Sequence, residues 1–333
     1  MTLPEPKHPE PPGAPTTPLD AASRTVSTQT GTRGRRAQFG IAIGVLAAFV
    51  GLLPQLCNGA RLPLQNLWTT DSGGDDMPFA LLPLNQYYIL QVLIMQLIGG
   101  LLAGVSTRAL QHRISRLAAS LGVLGIHLVA TMQVAVVLAD GLGIATSYAD
   151  DRALLYFFGM LGVALLGTGL GQAIFWLTQS PTVPICAVGL LASAVPVASW
   201  INYVVAVFTG VGEGMSTWNT VTHWLPAVIV GLVLAWCGVR PLARIAMWAA
   251  GFIVLWLIPP LFIAIPYSLG IRWIGSDLSI ALASGVDVFG AALWQDARPL
   301  LAALVIAIAG TVVFTLVHHT RHGRIPTTGH IDS

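Results

Sequence analysis

The chain has 333 residues, of which 55% are hydrophobic and only 9% are charged, with a mean hydropathy of +0.75 and a formal net charge of +2. A water-soluble domain carries about 25% charged residues. This composition excludes an ordinary soluble globular protein and predicts an all-α polytopic membrane protein. The expected partner is the lipid bilayer, and no nucleic-acid partner is expected.

Residues 1–38 precede the first apolar run and are rich in proline, serine, threonine and glycine. Such a segment buries too little apolar surface to offset its ordering entropy, so we expect a disordered cytoplasmic tail. Arg33, Arg35 and Arg36 lie directly before the first apolar run. Basic residues there orient the first span and attract anionic headgroups.

Eight apolar stretches contain no Asp, Glu, Lys or Arg. At 1.5 Å per residue, each is about long enough to cross the ~30 Å hydrocarbon core. The sequence therefore predicts an eight-helix transmembrane domain over residues 39–317. The predicted spans are residues 39–57, 87–105, 117–138, 153–177, 184–208, 222–239, 245–267 and 299–317.

The charged residues between these spans are sorted by side. With the N-terminus in the cytoplasm, most Lys and Arg residues fall on the cytoplasmic side and most Asp and Glu residues on the outside. Positive residues in short loops set orientation during insertion. The sequence thus predicts a multi-pass protein of the plasma (inner) membrane with both termini cytoplasmic. Residues 318–333 would form a basic, histidine-containing cytoplasmic tail.

The loop before the last span carries apolar residues at helical spacing. They are Leu278, Leu282, Val286, Phe289 and Leu293. This stripe predicts an amphipathic helix over about residues 277–295, lying on the outer surface or capping the bundle.

Three spans contain a Gly-x-x-x-Gly pair, which lets helix backbones approach closely in lipid. We expect these pairs to serve packing within the chain rather than dimerisation. The pairs are Gly40/Gly44, Gly100/Gly104 and Gly167/Gly171.

Polar side chains inside a membrane are costly, so each is a candidate for function. His127 lies at the middle of the third span and Gln96 at the middle of the second, at equal depth on expected neighbours. An imidazole–amide hydrogen bond would satisfy both, and a role in transport or proton relay is the alternative. Gln133, Gln172 and Asn202 complete the candidate set, which either lines a translocation path or holds helices together.

Three prolines interrupt the predicted spans. Pro196 falls within the fifth span, and Pro259 and Pro260 fall within the seventh. Proline removes a backbone donor and frees a carbonyl group. Broken helices of this kind build transporter sites near the midplane, and simple kinks are the alternative.

The sequence lacks the motifs of common enzymes and cofactor sites. Cys57, Cys186 and Cys237 have no metal-ligand or disulfide spacing, and no phosphate-binding loop occurs. We expect neither a metal nor another cofactor, and an enzyme is the less favoured class. A membrane enzyme acting on a lipid-linked substrate would need outward carboxylates such as Asp150 and Glu213.

The leading hypothesis is a permease or the membrane subunit of a transport system for an unidentified substrate. Carboxylates are absent from the predicted midplane, which argues against a carboxylate-based proton or sodium mechanism. A separate ATPase or another membrane subunit is therefore an expected partner. The competing hypothesis is a non-transporting accessory or scaffold protein.

Overall fold

The computed structural model describes residues 18–63, 77–144, 150–209, 213–239, 243–270 and 278–322. Within these ranges the chain is almost entirely helical, and its one β-type pairing is an isolated bridge between Arg61 and Phe79. A 3₁₀ turn, Gln86–Tyr88, precedes α3. The helices are α1 (Pro18–Gly51), α2 (Leu53–Cys57), α3 (Ile89–Ala109), α4 (Arg116–Gly141), α5 (Asp151–Thr178), α6 (Val183–Ala192), α7 (Ala194–Thr209), α8 (Glu213–Cys237), α9 (Ala243–Gly270), α10 (Leu278–Leu293) and α11 (Arg298–His322).

The starts of several helices follow from local side-chain chemistry. The Ser115 side chain accepts a hydrogen bond from the Ala118 N–H at the start of α4. The Asp150 side chain does the same for the Arg152 N–H at the start of α5. Pro184 lies in the first turn of α6, where a missing N–H costs nothing.

Six of the described helices are long and apolar enough to cross a membrane, and a seventh span results if the bent pair α6–α7 counts as one. The six are α3 with its preceding turn, α4, α5, α8, α9 and α11. The predicted count of eight is not confirmed, because the first predicted span is divided. α1 ends at Gly51, and after Leu52 the short α2 begins with Pro54 in its first turn.

The chain termini differ from the predicted tails. Residues 18–38 belong to α1, where the sequence predicted disorder. The reason is that the prolines behind that prediction end at Pro18, and proline is well suited to the start of a helix. The remainder of the predicted N-terminal tail, residues 1–17, lies outside the described residues, as does 323–333 of the C-terminal tail. α11 continues past the predicted end of its span to His322.

The helices pack in two units. In the N-terminal unit (α1–α5), α3 packs against α5, and α1 packs against α4 and α3. In the C-terminal unit (α6–α11), α8 packs against α11 and α7, and α10 packs against α9. The units meet where α5 contacts α6 and α3 contacts α7, and the Trp200 indole N–H donates to the Gly51 carbonyl at 2.9 Å.

Close backbone contacts hold the N-terminal unit together. A Cβ atom at Gly100 would collide with the Gly171 carbonyl oxygen across the α3–α5 interface. At the α1–α4 interface, a Cβ atom at Gly44 would collide with the Ala119 carbonyl oxygen. Gly40, Gly104 and Gly167 also face neighbouring helices. All three Gly-x-x-x-Gly pairs thus lie at interfaces within the chain.

The prolines act differently from one another. Pro196 lies in the first turn of α7, directly after the 42° bend between α6 and α7. At Pro259 and Pro260 the helix is not broken, because α9 runs through both, and the alternative of a simple kink stays a prediction. Proline keeps a helical φ, and a continuous helix satisfies the other backbone groups in lipid.

A helix, α10, occupies the position of the predicted amphipathic segment, and the apolar stripe does not face α9. Ala281 is buried, and Gly285 lies against Ser268 of α9. Leu282 and Val286 of the stripe are exposed. Small residues face α9 because they permit a closer approach of the two helices than leucine or valine would.

Candidate functional site

The candidate site lies in the N-terminal unit, beneath an irregular segment. Residues 77–85, here named the plug, contain Ala80, Leu82 and Leu84, which have no exposed surface. These side chains join an apolar cluster with Met95 of α3 and Val134 of α4. The plug therefore closes one end of the packed helices.

Two glutamines hold the plug through its backbone. Gln133 of α4 accepts a hydrogen bond from the Leu81 N–H at 3.0 Å and donates to the Phe79 carbonyl at 2.9 Å. Gln55 of α2 donates to the carbonyls of Arg61 and Ala80, both at 3.0 Å. These bonds satisfy polar groups that a strand or helix would otherwise satisfy.

Gln96 joins α3 to α5 rather than to α4. Its amide donates to the Ala164 carbonyl at 3.1 Å, and its carbonyl accepts from the Thr168 hydroxyl at 2.6 Å. The predicted bond between Gln96 and His127 is therefore not formed. The two residues are near in depth as predicted from span alignment, but α5 offers Gln96 both a donor and an acceptor.

Gln172 joins α5 to α4 at a different depth. It accepts a hydrogen bond from the Ser120 hydroxyl at 2.7 Å and donates to the Ser120 carbonyl at 3.2 Å. Ser120 lies seven positions before His127, or about 10 Å along the axis of α4. Gln133 lies about 9 Å from His127 in the opposite direction.

His127 occupies a narrow slot between helices and has no exposed surface. A Cβ atom at Gly99 of α3 would lie 2.8 Å from Nε2, and one at Gly171 of α5 would lie 3.2 Å from Cε1. The glycines thus create the space for the imidazole. Neither ring nitrogen has a hydrogen-bond partner among the residues that the structure describes.

Thr131 lies one helical turn after His127 on the same side of α4, and it is 3% exposed. Its hydroxyl likewise lacks a hydrogen-bond partner within the described part of the chain. We name these residues the His127–Thr131 pair. The charged residues of α3, α4 and α5 all lie in terminal turns, so the pair presents a neutral imidazole and a hydroxyl in apolar surroundings.

The remaining candidates lie elsewhere. Asn202 of α7 donates to the side-chain oxygen of Asn219 on α8 at 3.0 Å, near exposed surface. At the start of α11, Asp296 pairs with Arg298 at 2.8 Å and with His223 of α8 at 3.2 Å. The hydrogen bonds from Arg298 hold the pKa of Asp296 well below its usual range.

Sequence reasoning missed several residues of this arrangement. Thr131, Thr168 and Ser120 are of residue types that are common in membrane helices, so their presence alone indicates no function. The spacing of one helical turn from His127 is the one sequence feature that marks Thr131. Gln55 was hidden at the end of a predicted span. Within the described ranges, no three His, Cys, Asp or Glu residues cluster as a metal site would require.

Long apolar helices packed through glycines, with few charges between them, define the chain as a multi-pass helical membrane protein. No protein-family model matches the chain, and neither a curated protein nor a solved structure is similar to it. Its function must therefore be inferred from the arrangement of its own residues.

Proposed function

We propose that the protein is a permease or the membrane subunit of a transport system, and that the His127–Thr131 pair contacts the transported solute. The observation that carries this proposal is the buried imidazole of His127, whose two nitrogens are unsatisfied by any described residue. A buried polar group without a partner costs about 1–3 kcal/mol. A ligand that hydrogen-bonds the ring during transport would explain why such a costly residue lies there.

The surrounding polar residues fit the same function. Gln133, the His127–Thr131 pair and Ser120 follow one another along α4, whose neighbours α3 and α5 contribute Gln96 and Gln172. Together they form a series of hydrogen-bonding groups through the unit. A solute that loses its hydration shell in the bilayer needs groups of this kind.

The proposal includes the membrane arrangement predicted from the charges. We place the protein in the plasma (inner) membrane with both termini in the cytoplasm. The divided segment of α1 and α2 would supply an eighth crossing. In this arrangement the plug and Gln133 face outward, and a separate ATPase would bind the cytoplasmic loops.

A second candidate function is a non-transporting accessory or scaffold protein. The hydrogen bonds of Gln96 and Gln172 between helices favour it, because such bonds stabilise a rigid bundle without any ligand. His127 distinguishes the two functions, since its ring joins no helices through a hydrogen bond to any described residue.

Solute movement tests the proposal directly. Purified protein in liposomes would be assayed by light scattering for entrance of glycerol, urea and sorbitol, and by isotope uptake for glutamate, lysine and phosphate. In parallel, the protein would be purified in mild detergent from its native membrane and its co-purifying chains identified by mass spectrometry. Accelerated movement of one solute, or a nucleotide-binding subunit, is the expected result.

His127→Ala should abolish that movement while the protein remains inserted and folded. Asn202→Ala is the matched control, because it also truncates a polar span residue but lies near exposed surface in the C-terminal unit. Neither solute movement nor a nucleotide-binding subunit, from a folded preparation, would contradict the proposal.

A further inference from the structure

The plug lies at the C-terminal end of α4, which is the end nearer to Gln133, beyond the His127–Thr131 pair. Gln133, two residues after Thr131, lies on another side of α4, so the link between the pair and the plug runs through the next residue. Val134, one position further, packs in the same cluster as Leu82 and Leu84 of the plug. The plug is therefore the first obstacle between the pair and that end of the unit.

The way in which the plug is held differs from the way in which the helices are held. It has no helix or strand of its own, and the bridge between Arg61 and Phe79 is isolated. Backbone bonds from Leu62 to Pro78 and from Ala80 to Ala60 attach one edge. The side chains of Gln133 and Gln55 attach the backbone of Phe79, Ala80 and Leu81, so single side chains help to hold its position.

The opposite end of the pair is closed in another manner. There, glycines bring helix backbones into direct contact, as at Gly104 against Phe175 and Gly44 against Ala119. Separating those helices would require the movement of whole spans. Displacing the plug requires the exchange of a few hydrogen bonds and the withdrawal of Ala80, Leu82 and Leu84 from their apolar cluster, but no movement of a whole span.

We propose that the plug is the gate of the His127–Thr131 pair, and that a small uncharged solute bearing hydrogen-bond donors and acceptors reaches the pair from the Gln133 end when the plug moves. The pair matches such a solute because a neutral imidazole offers one donor and one acceptor and a hydroxyl offers both. A charged solute would lie buried without a counter-charge, which is far more costly.

A labelling experiment tests this gate. Thr131→Cys is introduced, and the protein in lipid nanodiscs is treated with a sulfonated, membrane-impermeant maleimide, with labelling read at each cysteine by peptide mass spectrometry. The native cysteines calibrate the reaction, because Cys57 is exposed whereas Cys186 and Cys237 are buried. With the plug in place, position 131 should label as slowly as the two buried cysteines.

Adding Gln133→Leu should accelerate labelling at position 131 by at least tenfold. Gln172→Leu is the matched control, because it removes the same number of hydrogen bonds, one accepted and one donated, from the other end of the pair. It should leave the rate unchanged. Equal acceleration by both variants, or none by Gln133→Leu in folded protein, would overturn the gate.

Gln55→Leu provides a second route to the same result without altering α4. It removes one bond to the plug, at the Ala80 carbonyl, and one to the neighbouring Arg61 carbonyl, and it should also accelerate labelling at position 131. An unchanged rate in folded Gln55→Leu protein, together with an unchanged rate in Gln133→Leu protein, would overturn the proposal even if one variant were less stable.

The solute class rests on the proposed function, whereas the labelling measures access alone. In the liposome assay, glycerol or urea should enter faster with Gln133→Leu than with wild-type protein, and glutamate and lysine should not. Access that opens without movement of any solute would contradict the proposed function and retain the gate. Movement of solute without any change in access would contradict the gate and retain the function.

Discussion

The two units of the chain differ in how deeply their helices are buried. In the most apolar part of each long helix, 61%, 39% and 28% of the residues are buried in α3, α4 and α5, against 50%, 22% and 11% in α8, α9 and α11. The N-terminal unit is packed through glycine backbones and glutamine hydrogen bonds. Most of the surface of α11, including Leu301, Val305 and Val313, is exposed for contact with lipid.

This difference shows where a polar site can be maintained. In the N-terminal unit, close contacts with Gly99 of α3 and Gly171 of α5 keep His127 in an otherwise unfavourable position. In the C-terminal unit, Asn202 is half-buried in the middle of α7 and bonds to the exposed Asn219, and the half-exposed His223 pairs with Asp296. A costly buried residue requires a framework stable enough to hold it.

The largest expected effect on stability comes from a substitution that disrupts the close packing of the N-terminal unit. In Gly171→Ala, the added methyl group would lie 2.6 Å from the Gln96 carbonyl oxygen. Because backbone cannot yield easily, we expect the free energy of unfolding to fall by about 3 kcal/mol, at the upper end for overpacking. Thermal unfolding in detergent measures this.

Gly169→Ala is the control on the same helix, since nothing lies within 4 Å of the added atom. It should stabilise α5 by about 0.5–1 kcal/mol, as alanine does in place of glycine in a helix. If the two variants unfold alike, the close α3–α5 contact is not what makes the N-terminal unit rigid.

A smaller loss of stability is expected on removing buried hydrogen bonds, and it should exceed the loss on removing an exposed one. Gln96→Leu removes two bonds between α3 and α5 and leaves Thr168 with its bond to the Ala164 carbonyl. We expect a loss of about 1–2 kcal/mol in unfolding free energy. Asn202→Leu, near the surface of the C-terminal unit, should cost much less. Denaturant titration compares them, and equal losses would contradict the difference between the units.

The smallest expected effect concerns the charged residues between α8 and α11. Because Arg298 lowers the pKa of Asp296, the carboxylate contributes to stability above the ordinary pKa of aspartate, and this contribution is lost as the pH falls through the lowered value. In a His223→Ala background, which removes the second partner of Asp296, the unfolding temperatures of protein with and without Asp296→Asn should therefore differ slightly and equally at pH 7 and pH 5. A difference that disappears by pH 5 would contradict this.

The sequence predicted the elements whose signal is continuous along the chain. Charge-free runs predicted the bodies of α3, α4, α5, α8, α9 and α11, because lipid requires long apolar helices. It did not predict the division at Leu52 or the helix at residues 18–38. The sequence left open whether Pro259 and Pro260 break α9 or only kink it, since a proline does not by itself decide between the two, and the helix continues through both.

For the candidate site, the depth of a side chain along its span was easier to predict from the sequence than its hydrogen-bond partners. Span alignment placed Gln96 near the level of His127, but which neighbour a side chain faces depends on helix rotation. α5 offered Gln96 the Ala164 carbonyl and the Thr168 hydroxyl, and neither is apparent from the sequence. The plug was also unforeseen, because its burial results from packing between segments that are distant in the chain.

The central claim is that His127 lies in its slot for a solute and not for stability. The most direct measurement is the unfolding free energy of His127→Leu relative to wild-type protein. Leucine removes two buried polar atoms that no described residue satisfies, so stability should stay equal or rise, while solute movement is lost. A fall of several kcal/mol, with movement unaffected, would show that His127 is structural and would contradict the account.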